Sequence, residues 1–145
     1  MYYNIGELLG FFDLDAFVLR QSLVKIISNI ILYVLNGDND NLDENQKKTY
    51  YQMKQKFLQL LMERFHDKSS FCRKKVITVF IKLTEENVVS RDLYMVLFKH
   101  VIGRFRDQTM LVRRYALRLY RQLMEIFGLI FNIDVKTGEK FLKMG

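Results

Sequence analysis

An internal repeat of 40 residues is the feature that most restricts how this 145-residue chain can fold. Shifting the sequence by 40 aligns residues 64–67, RFHD, with residues 104–107, RFRD. The same shift places residues 73–74, RK, on residues 113–114, RR, and matches apolar positions on both sides of them. A period of roughly 20–50 residues is typical of solenoids, in which each unit packs mainly on its neighbours.

Each unit reads as an apolar helix, a short turn with an aspartate, an arginine six residues later and a second amphipathic helix. A more distant copy surrounds Arg20, and this pattern with its period is typical of HEAT repeats. Proline is absent, whereas average usage would give about seven, and this favours long helices. We therefore predict an all-α fold: a single α-solenoid of about three HEAT repeats built from antiparallel helix pairs, with no sheet. The predicted repeats cover about residues 2–36, 43–84 and 91–128, followed by a tail, 129–145.

Four polar residues recur at matching places in two of the repeats, namely Asp67 and Asp107 at the turns and Arg73 and Arg113 six residues later. An aspartate at such a turn can cap the second helix, and an arginine in the first turn of that helix can pair with a neighbouring aspartate. We interpret these four residues as a structural repeat ladder rather than as ligand contacts.

Polar residues before the other helical patterns predict their caps. Asp43 is predicted to cap a helix in a capping box with Gln46. Caps of later helices are predicted at Asp67 or Ser69, Ser90 and Thr109.

The charge of the chain is divided unequally along its length. Residues 1–45 carry a net charge of −5, whereas residues 46–145 carry +12. Such asymmetry indicates an acidic partner, with nucleic acid as the first candidate. The basic residues predicted to form this surface lie on the outward faces of two second helices: Lys74, Lys75, Lys82, Arg114, Arg118 and Arg121. Arginines on a rigid helix suit bidentate phosphate contact, and no set of side chains in this sequence is arranged to read base edges, so DNA binding should be sequence-independent. A solvated face and a protein-contacting face are the alternatives.

No catalytic, metal or cofactor site is predicted. Ser22–Lys25 matches S-x-x-K and Lys136–Gly138 matches K-T-G, but the third motif of that enzyme class is missing. Cys72 is the only cysteine and lies on an apolar helix face, so it reads as a buried hydrophobic residue and suits a reducing compartment. His66 and His100 are the only histidines and lie 34 residues apart, so we expect no histidine-rich metal site.

The sequence also predicts no membrane partner and no small-molecule substrate. Its longest apolar run, residues 26–35, contains Ser28 and Asn29 and is shorter than the ~20 residues of a bilayer span. The opening residues have no basic segment, which argues against a leader and for a cytosolic or nuclear protein. Apolar residues at both ends are predicted to lack polar caps, so the isolated chain should self-associate. They are Leu8, Leu9, Phe11 and Phe12 at one end and Leu129, Ile130, Phe131 and Ile133 at the other.

Three segments resemble a known family in the order and spacing that the family has. Residues 62–76, MERFHDKSSFCRKKV, are similar to the HD-x-x-SF-x-R-x-x-V segment of the condensin complex subunit 1 family, the non-SMC HEAT-repeat regulatory subunits of condensin. Residues 102–114, IGRFRDQTMLVRR, resemble its GR-x-x-D-K-S-x-x-V-R-K repeat. Residues 12–20, FDLDAFVLR, resemble its LDGE-x-Y-x-x-R repeat, with Leu14 in place of the glycine. Ser69 also departs from the family, which has asparagine there.

The resemblance implies a non-catalytic scaffold that acts in mitotic chromosome condensation, in the nucleus and on chromosomes, with a cytoplasmic location outside mitosis. It implies the condensin kleisin subunit and the SMC ATPase pair as partners, double-stranded DNA as a sequence-independent contact, and no cofactor. The family's thousand-residue scale suggests that this chain is a fragment. Two other classes remain open: a HEAT scaffold that binds only protein, such as a phosphatase or transport adaptor, and a helical-repeat DNA glycosylase, which the absence of tryptophan disfavours.

Overall fold

The structure is a computed structural model that describes residues 5–37 and 40–130. Within these residues it contains α-helices and no β-strand, so the predicted all-α helical-repeat fold is confirmed. The helices are α1 (Ile5–Gly10), α2 (Phe17–Ile30), α3 (Glu44–Glu63), α4 (Ser70–Glu85), α5 (Arg91–Gly103) and α6 (Met110–Ile130). A π-helical turn, Ile31–Leu35, extends α2, and 3-10 turns follow α1 (Phe11–Asp13) and α3 (Arg64–His66).

The second helices of the repeats form the central layer of the molecule. Helix α4 packs against α2 on one side and against α6 on the other, as expected if each second helix stacks on the next repeat. Helix α5 packs on α6, and α3 packs on the π-helical turn after α2. One buried apolar cluster extends from Phe12 to Leu123 through these contacts. The repeats therefore share a continuous core, which is the arrangement that stabilises a solenoid.

Two helix ends show how local sequence sets the boundaries. The predicted capping box of α3 is present, because Asp43 accepts a hydrogen bond from the Gln46 N–H and the Gln46 side chain accepts one from the Asp43 N–H. Asn87, two residues after the last residue of α4, has a positive φ of 56°. The Asn87 and Val88 N–H groups donate to the carbonyls of Thr84 and Leu83, the pattern of a Schellman motif.

Phe17–Leu35 is the one segment of the described chain that is long and apolar enough to cross a membrane by length and composition alone. The core helix of a repeat array can have the same composition, because it is covered on more than one side. This segment packs against α4, and its Arg20 forms a buried ion pair with Asp67. We therefore interpret it as a core helix.

The ends of the chain are only partly described. Of the residues predicted to be uncapped near the start, Phe11 is exposed, whereas Phe12 is 8% exposed and belongs to the buried apolar cluster, so the prediction is wrong for Phe12. Residues 131–145, including most of the predicted tail, and the side chains of Leu8, Leu9, Leu129 and Ile130 lie outside what the structure describes. The repeat boundaries and the self-association of the isolated chain stay predictions.

Two leucines on α6 offer a matched test of the core. Leu119 is 0% exposed and Leu117 is 51% exposed, so the same truncation should have different costs. Leu119→Ala should lower the free energy of unfolding by about 3 kcal/mol, because it leaves a cavity in the shared core. Leu117→Ala should lower it by about 0.5 kcal/mol or less. Urea unfolding followed by circular dichroism measures both, and equal losses would contradict the placement of α6.

Candidate functional site

A buried arginine–aspartate pair connects α2 and α4, the second helices of the first two repeats. Arg20 on α2 donates from Nε to Asp67 Oδ2 and from Nη2 to Asp67 Oδ1, both at 3.0 Å. Its third nitrogen, Nη1, donates to the Leu14 carbonyl at 2.6 Å. One guanidinium thus binds the turn before its own helix and the turn before the next second helix.

The same arrangement recurs one repeat later. Arg73 on α4 donates from Nε to Asp107 Oδ2 at 2.7 Å and from Nη2 to Asp107 Oδ1 at 3.0 Å. Its Nη1 donates to the Asp67 carbonyl at 2.7 Å. The predicted pairing of an arginine with a neighbouring aspartate is therefore present, and the partner is the aspartate of the following repeat. Because both pairs are bidentate, they fix the angle between adjacent repeats as well as their distance.

Each ladder aspartate also organises the turn that carries it. Oδ1 of Asp67 accepts the N–H of Ser69 at 2.9 Å, and Oδ1 of Asp107 accepts the N–H of Thr109 at 2.9 Å. Ser69 itself makes no side-chain cap, so of the two predicted caps of α4 the aspartate is the one that binds an N–H group. The predicted cap at Ser90 also makes no capping hydrogen bond, and its hydroxyl accepts from Gln55 Nε2 at 2.6 Å.

A second arginine approaches each aspartate from its own turn. Arg64 Nη1 lies 3.5 Å from Asp67 Oδ2, and Arg104 Nη1 lies 3.3 Å from Asp107 Oδ2. Arg64 also lies over the ring of Phe12, 4.7 Å from its centroid. Each carboxylate thus receives two guanidinium groups and one backbone N–H, which compensates for its removal from water.

These contacts determine the ionisation of the two carboxyl groups. Burial alone raises the pKa of Asp67, but the hydrogen bonds from Arg20 and Ser69 and the nearby guanidinium charges outweigh it and lower the pKa below 3.8. The pKa of Asp107 is likewise lowered, because Arg73, Thr109 and Arg104 outweigh the effect of burial. The bond to Asp67 raises the pKa of Arg20. The two arginine–aspartate pairs, which we call the rungs of the ladder, are therefore ion pairs at neutral pH.

Arg113 is the next ladder arginine after Arg73, and it makes only the bond to the turn before its own helix. Its Nη1 donates to the Asp107 carbonyl at 2.6 Å, as Arg73 does to Asp67. Within residues 5–37 and 40–130, no carboxylate is bonded to its Nε and Nη2.

A groove of about 430 Å³ runs along the outer face of α6. The groove is lined by Leu117, Gln122 and Glu125 and by three exposed arginines, Arg114, Arg118 and Arg121. The opposite face of α6 carries Val112, Ala116, Leu119 and Leu123, all fully buried. The helix therefore brings together the three arginines that the sequence singled out.

The three predicted lysines of α4 do not line this groove. Lys74 is half-buried, and its Nζ lies 5.1 Å from the centre of the Tyr115 ring on α6. Lys75 is also half-buried, whereas Lys82 is exposed and lies 3.6 Å from Glu86. The three lysines and the three arginines therefore do not line one common groove.

The structure also brings His66 and His100 into contact, although they are 34 residues apart in the sequence. His66 Nε2 and His100 Nδ1 are 3.1 Å apart, and the His100 ring stacks on the buried ring of Phe65. Burial and the neighbouring His66 and Arg104 lower the pKa of His100. The stacking of α5 on the preceding turn creates this contact, and the 40-residue shift, which places Arg106 opposite His66, does not reveal it.

Comparison with known proteins gives one consistent group of relatives. The chain is 29% identical over 122 residues to the condensin-1 complex subunit CAP-D2 of Arabidopsis thaliana, which covers 84% of this chain and 8% of that protein. It is 28% identical over 116 residues to condensin complex subunit 1 of Mus musculus, with 80% of this chain and 8% of that protein covered. The corresponding subunit of Schizosaccharomyces pombe is 27% identical over 122 residues, covering 83% and 10%.

The resemblance to condensin subunit 1 is therefore confirmed along about four fifths of the chain. The chain spans only about a tenth, or less, of the length of these curated relatives. No protein-family profile and no solved structure matches.

Asp107→Asn should reveal the contribution of a ladder rung and its dependence on pH. At pH 7 the change should lower the free energy of unfolding by about 3 kcal/mol, because it leaves Arg73 without its buried counter-charge. The folded state binds fewer protons than the unfolded chain, since the pKa of Asp107 is lowered from 3.8. The stabilisation is therefore present above that pH and is lost as the pH falls below it.

Chemical unfolding of both proteins between pH 7 and pH 3 measures this difference. The difference in the free energy of unfolding between wild type and variant should decrease as the solution is acidified through pH 3.8. Asp15→Asn is the control, because Asp15 pairs with Lys68 at an exposed position and its loss should change stability little. A gap that stays constant down to pH 3, or an equal effect of Asp15→Asn, would contradict the role of the rung.

Proposed function

We propose that this chain acts as a non-catalytic helical-repeat segment of a condensin complex, in mitotic chromosome condensation. The observation that carries the proposal is the similarity to condensin subunits, which extends over about 80% of the chain in relatives from a plant, a mammal and a yeast. The ladder supports it, because the aspartates and arginines that connect the repeats lie within the resembling segments. A solenoid offers an extended surface rather than a reaction pocket, and this suits a scaffold.

The proposed partners are the kleisin subunit and the SMC pair of condensin, and the proposed location is the nucleus and the chromosome, with a cytoplasmic location outside mitosis. ATP hydrolysis belongs to the SMC pair in this proposal, so the chain itself needs no cofactor. Its contribution is to hold stacked helices at fixed angles and thereby to present their outer surfaces to other components.

We also propose that the groove on α6 contacts the phosphate backbone of double-stranded DNA. From Arg114 to Arg121 the helix rises by about 10 Å, and duplex DNA carries one charge per roughly 1.7 Å of its axis, so the three arginines can face several phosphates at once. All three side chains are exposed and lie on a helix that the core holds rigidly. Guanidinium groups bind phosphate oxygens in a bidentate manner, and phosphate contacts carry no base sequence.

Membership of a condensin complex can be tested by purifying the tagged full chain from mitotic cells of its source. The proposal predicts recovery of the SMC pair and the kleisin, identified by mass spectrometry. A Leu119→Asp variant, which places a charge in the core, should recover neither. Recovery of a phosphatase or transport assembly without SMC proteins would favour the protein-only adaptor.

DNA contact can be tested from the salt dependence of binding to a duplex of about 30 base pairs. If three phosphates are neutralised, the logarithm of affinity should fall with the logarithm of salt concentration with a slope near −2.7, from about 0.9 per phosphate. Replacing Arg114, Arg118 and Arg121 with alanine should flatten the slope by about that amount. Fluorescence anisotropy across a salt series measures both slopes.

The matched control removes three other exposed positive charges: Lys25 on α2 and Lys48 and Lys56 on α3. This variant has the same net charge as the arginine variant, so it separates a local contact from general attraction. It should keep most of the wild-type slope. If both triple variants lose the same amount, or if the arginine variant keeps the slope, the α6 groove is not the DNA contact.

A further inference from the structure

The contact between His66 and His100 joins two consecutive repeats at a place that the ladder does not reach. His66 lies in the turn that follows α3, and His100 lies near the end of α5, the first helix of the next repeat. Their facing nitrogens, Nε2 of His66 and Nδ1 of His100, are 3.1 Å apart. His66 is exposed and His100 is half-buried, so protons from water can reach the pair.

The ring of His100 is held in place by its aromatic neighbours. It stacks on the buried ring of Phe65, with the two ring centres 5.6 Å apart. It meets the ring of His66 edge-on, with 5.1 Å between the centres. Phe65 in turn packs against Phe80 at 5.6 Å, so α4 contributes an uncharged side chain to this junction. The two imidazoles are therefore part of the packing between the turn and α5.

The hydrogen bond between the two imidazoles tolerates one added proton but not two. When both rings are neutral, one of the facing nitrogens donates and the other accepts. When one ring is protonated, it can still donate to the neutral ring. When both rings are protonated, neither nitrogen can accept, and two positive charges face each other across 3.1 Å. The second proton therefore breaks the contact.

The charges around the pair do not offset this repulsion. A cavity of about 380 Å³ beside His66 has three acidic and three basic side chains in its lining, namely Asp13, Glu63, Asp67, Arg20, Arg64 and Lys68. These charges cancel in number, and Asp67 is already paired with Arg20. On the α5 side, burial and then the charges of His66 and Arg104 lower the pKa of His100 below 6.5.

A metal ion between the two imidazoles is a poorer explanation of the contact. Two histidines leave half of the tetrahedral positions around zinc unfilled. Within the part of the chain that the structure describes, no group of three or more histidine, cysteine or acidic side chains is placed to hold an ion. The positive charge of Arg104 near His100 also opposes a bound cation.

We propose that His66 and His100 form a proton-sensitive latch, which holds α5 on the preceding turn while at most one ring is protonated and releases it when both are. The ladder does not open with the latch, because the lowered pKa values of Asp67 and Asp107 keep both carboxylates ionised in the range where imidazoles titrate. Mild acid should therefore loosen α5 while α2, α4 and α6 stay joined. The latch goes beyond the proposed function and does not depend on it.

The latch belongs to one junction between repeats. The offset of 53 residues that relates Arg20 to Arg73 places Asp13 opposite His66, and the 40-residue shift places Leu60 opposite His100. An aspartate and a leucine cannot form the same bond. Because the chain contains no other histidine, a response to pH in the imidazole range can be assigned to this pair.

Hydrogen–deuterium exchange of the full chain between pH 7 and pH 5 tests the latch, with protection factors corrected for the intrinsic exchange rate at each pH. Since the pKa of His100 is lowered from 6.5, the stabilisation is present above that pH and is lost as the pH falls below it. Opening takes up one proton, so protection of Arg91–Gly103 should fall by about tenfold by pH 5. Protection of Ser70–Glu85 should change little.

Three variants separate the latch from a general effect of acid. His100→Phe keeps an aromatic ring on Phe65 but cannot be protonated, so it should abolish the pH-dependent loss in α5. His66→Gln should reduce that loss, because a protonated His100 can still donate to the amide oxygen. Arg106→Gln is the matched control, since Arg106 is the exposed equivalent of His66 one repeat later, and it should keep the wild-type response. If His100→Phe does not fold, His66→Gln, at an exposed position, decides the test.

Each of the other outcomes would overturn the proposal. Constant protection of α5 down to pH 5 would do so, as would the same loss in both histidine variants as in wild type. Equal losses in α4 and α5 would mean that acid unfolds the whole chain. A loss of protection at pH 7 on addition of EDTA would mean that a metal ion holds the contact.

Discussion

The bidentate bond between an arginine and the aspartate of the next repeat is the interaction on which this structure depends. Apolar burial alone would let α2, α4 and α6 slide along one another, because the hydrophobic effect has no direction. Arg20 and Arg73 each bind two turns at once, so they define both the register and the angle of adjacent repeats. Their side chains and those of Asp67 and Asp107 are at most 12% exposed. A buried ion pair is costly to desolvate, and the additional bonds from the backbone and from Arg64 and Arg104 offset that cost.

The same ladder determines what α6 can present to other molecules. Because Asp107 is bound by Arg73 and holds the N–H of Thr109, the start of α6 has one position relative to α4. The fully buried Leu119 and Leu123 then set the rotation of the helix, so that Arg114 and its neighbours face outward and Leu117 lies at the outer edge. The DNA proposal relies on this placement of α6, because it holds the three arginines on one outward face.

Much of this arrangement could be predicted from the sequence, because a repeat makes local signals reinforce one another. The period and the ladder positions follow from matching residues 40 apart, and the outward arginines of α6 follow from their spacing of four and three residues along the helix. Other features depend on tertiary contacts that periodicity does not encode. The sequence placed Arg20 in an upstream copy of the repeat, but its bond to Asp67 was not predicted, since Arg20 lies 53 residues before Arg73 and follows Leu14 where the other turns have aspartate. Lys74 falls on an outward stripe of α4, yet α6 covers it through Tyr115, and His66 and His100 meet only because α5 stacks on the preceding turn.

The most direct test of the ladder is a double-mutant cycle on Arg20 and Asp67, with the free energy of unfolding measured for wild type, Arg20→Met, Asp67→Asn and the double variant. The exposed pair of Lys68 and Asp15, whose side chains are 71% and 97% exposed, provides the reference cycle. The account predicts a coupling of about 2 kcal/mol or more between Arg20 and Asp67, because each single change leaves a buried charge unpaired. It predicts a much smaller coupling for the exposed pair. Additive effects of Arg20→Met and Asp67→Asn would contradict the claim that this bond joins the repeats.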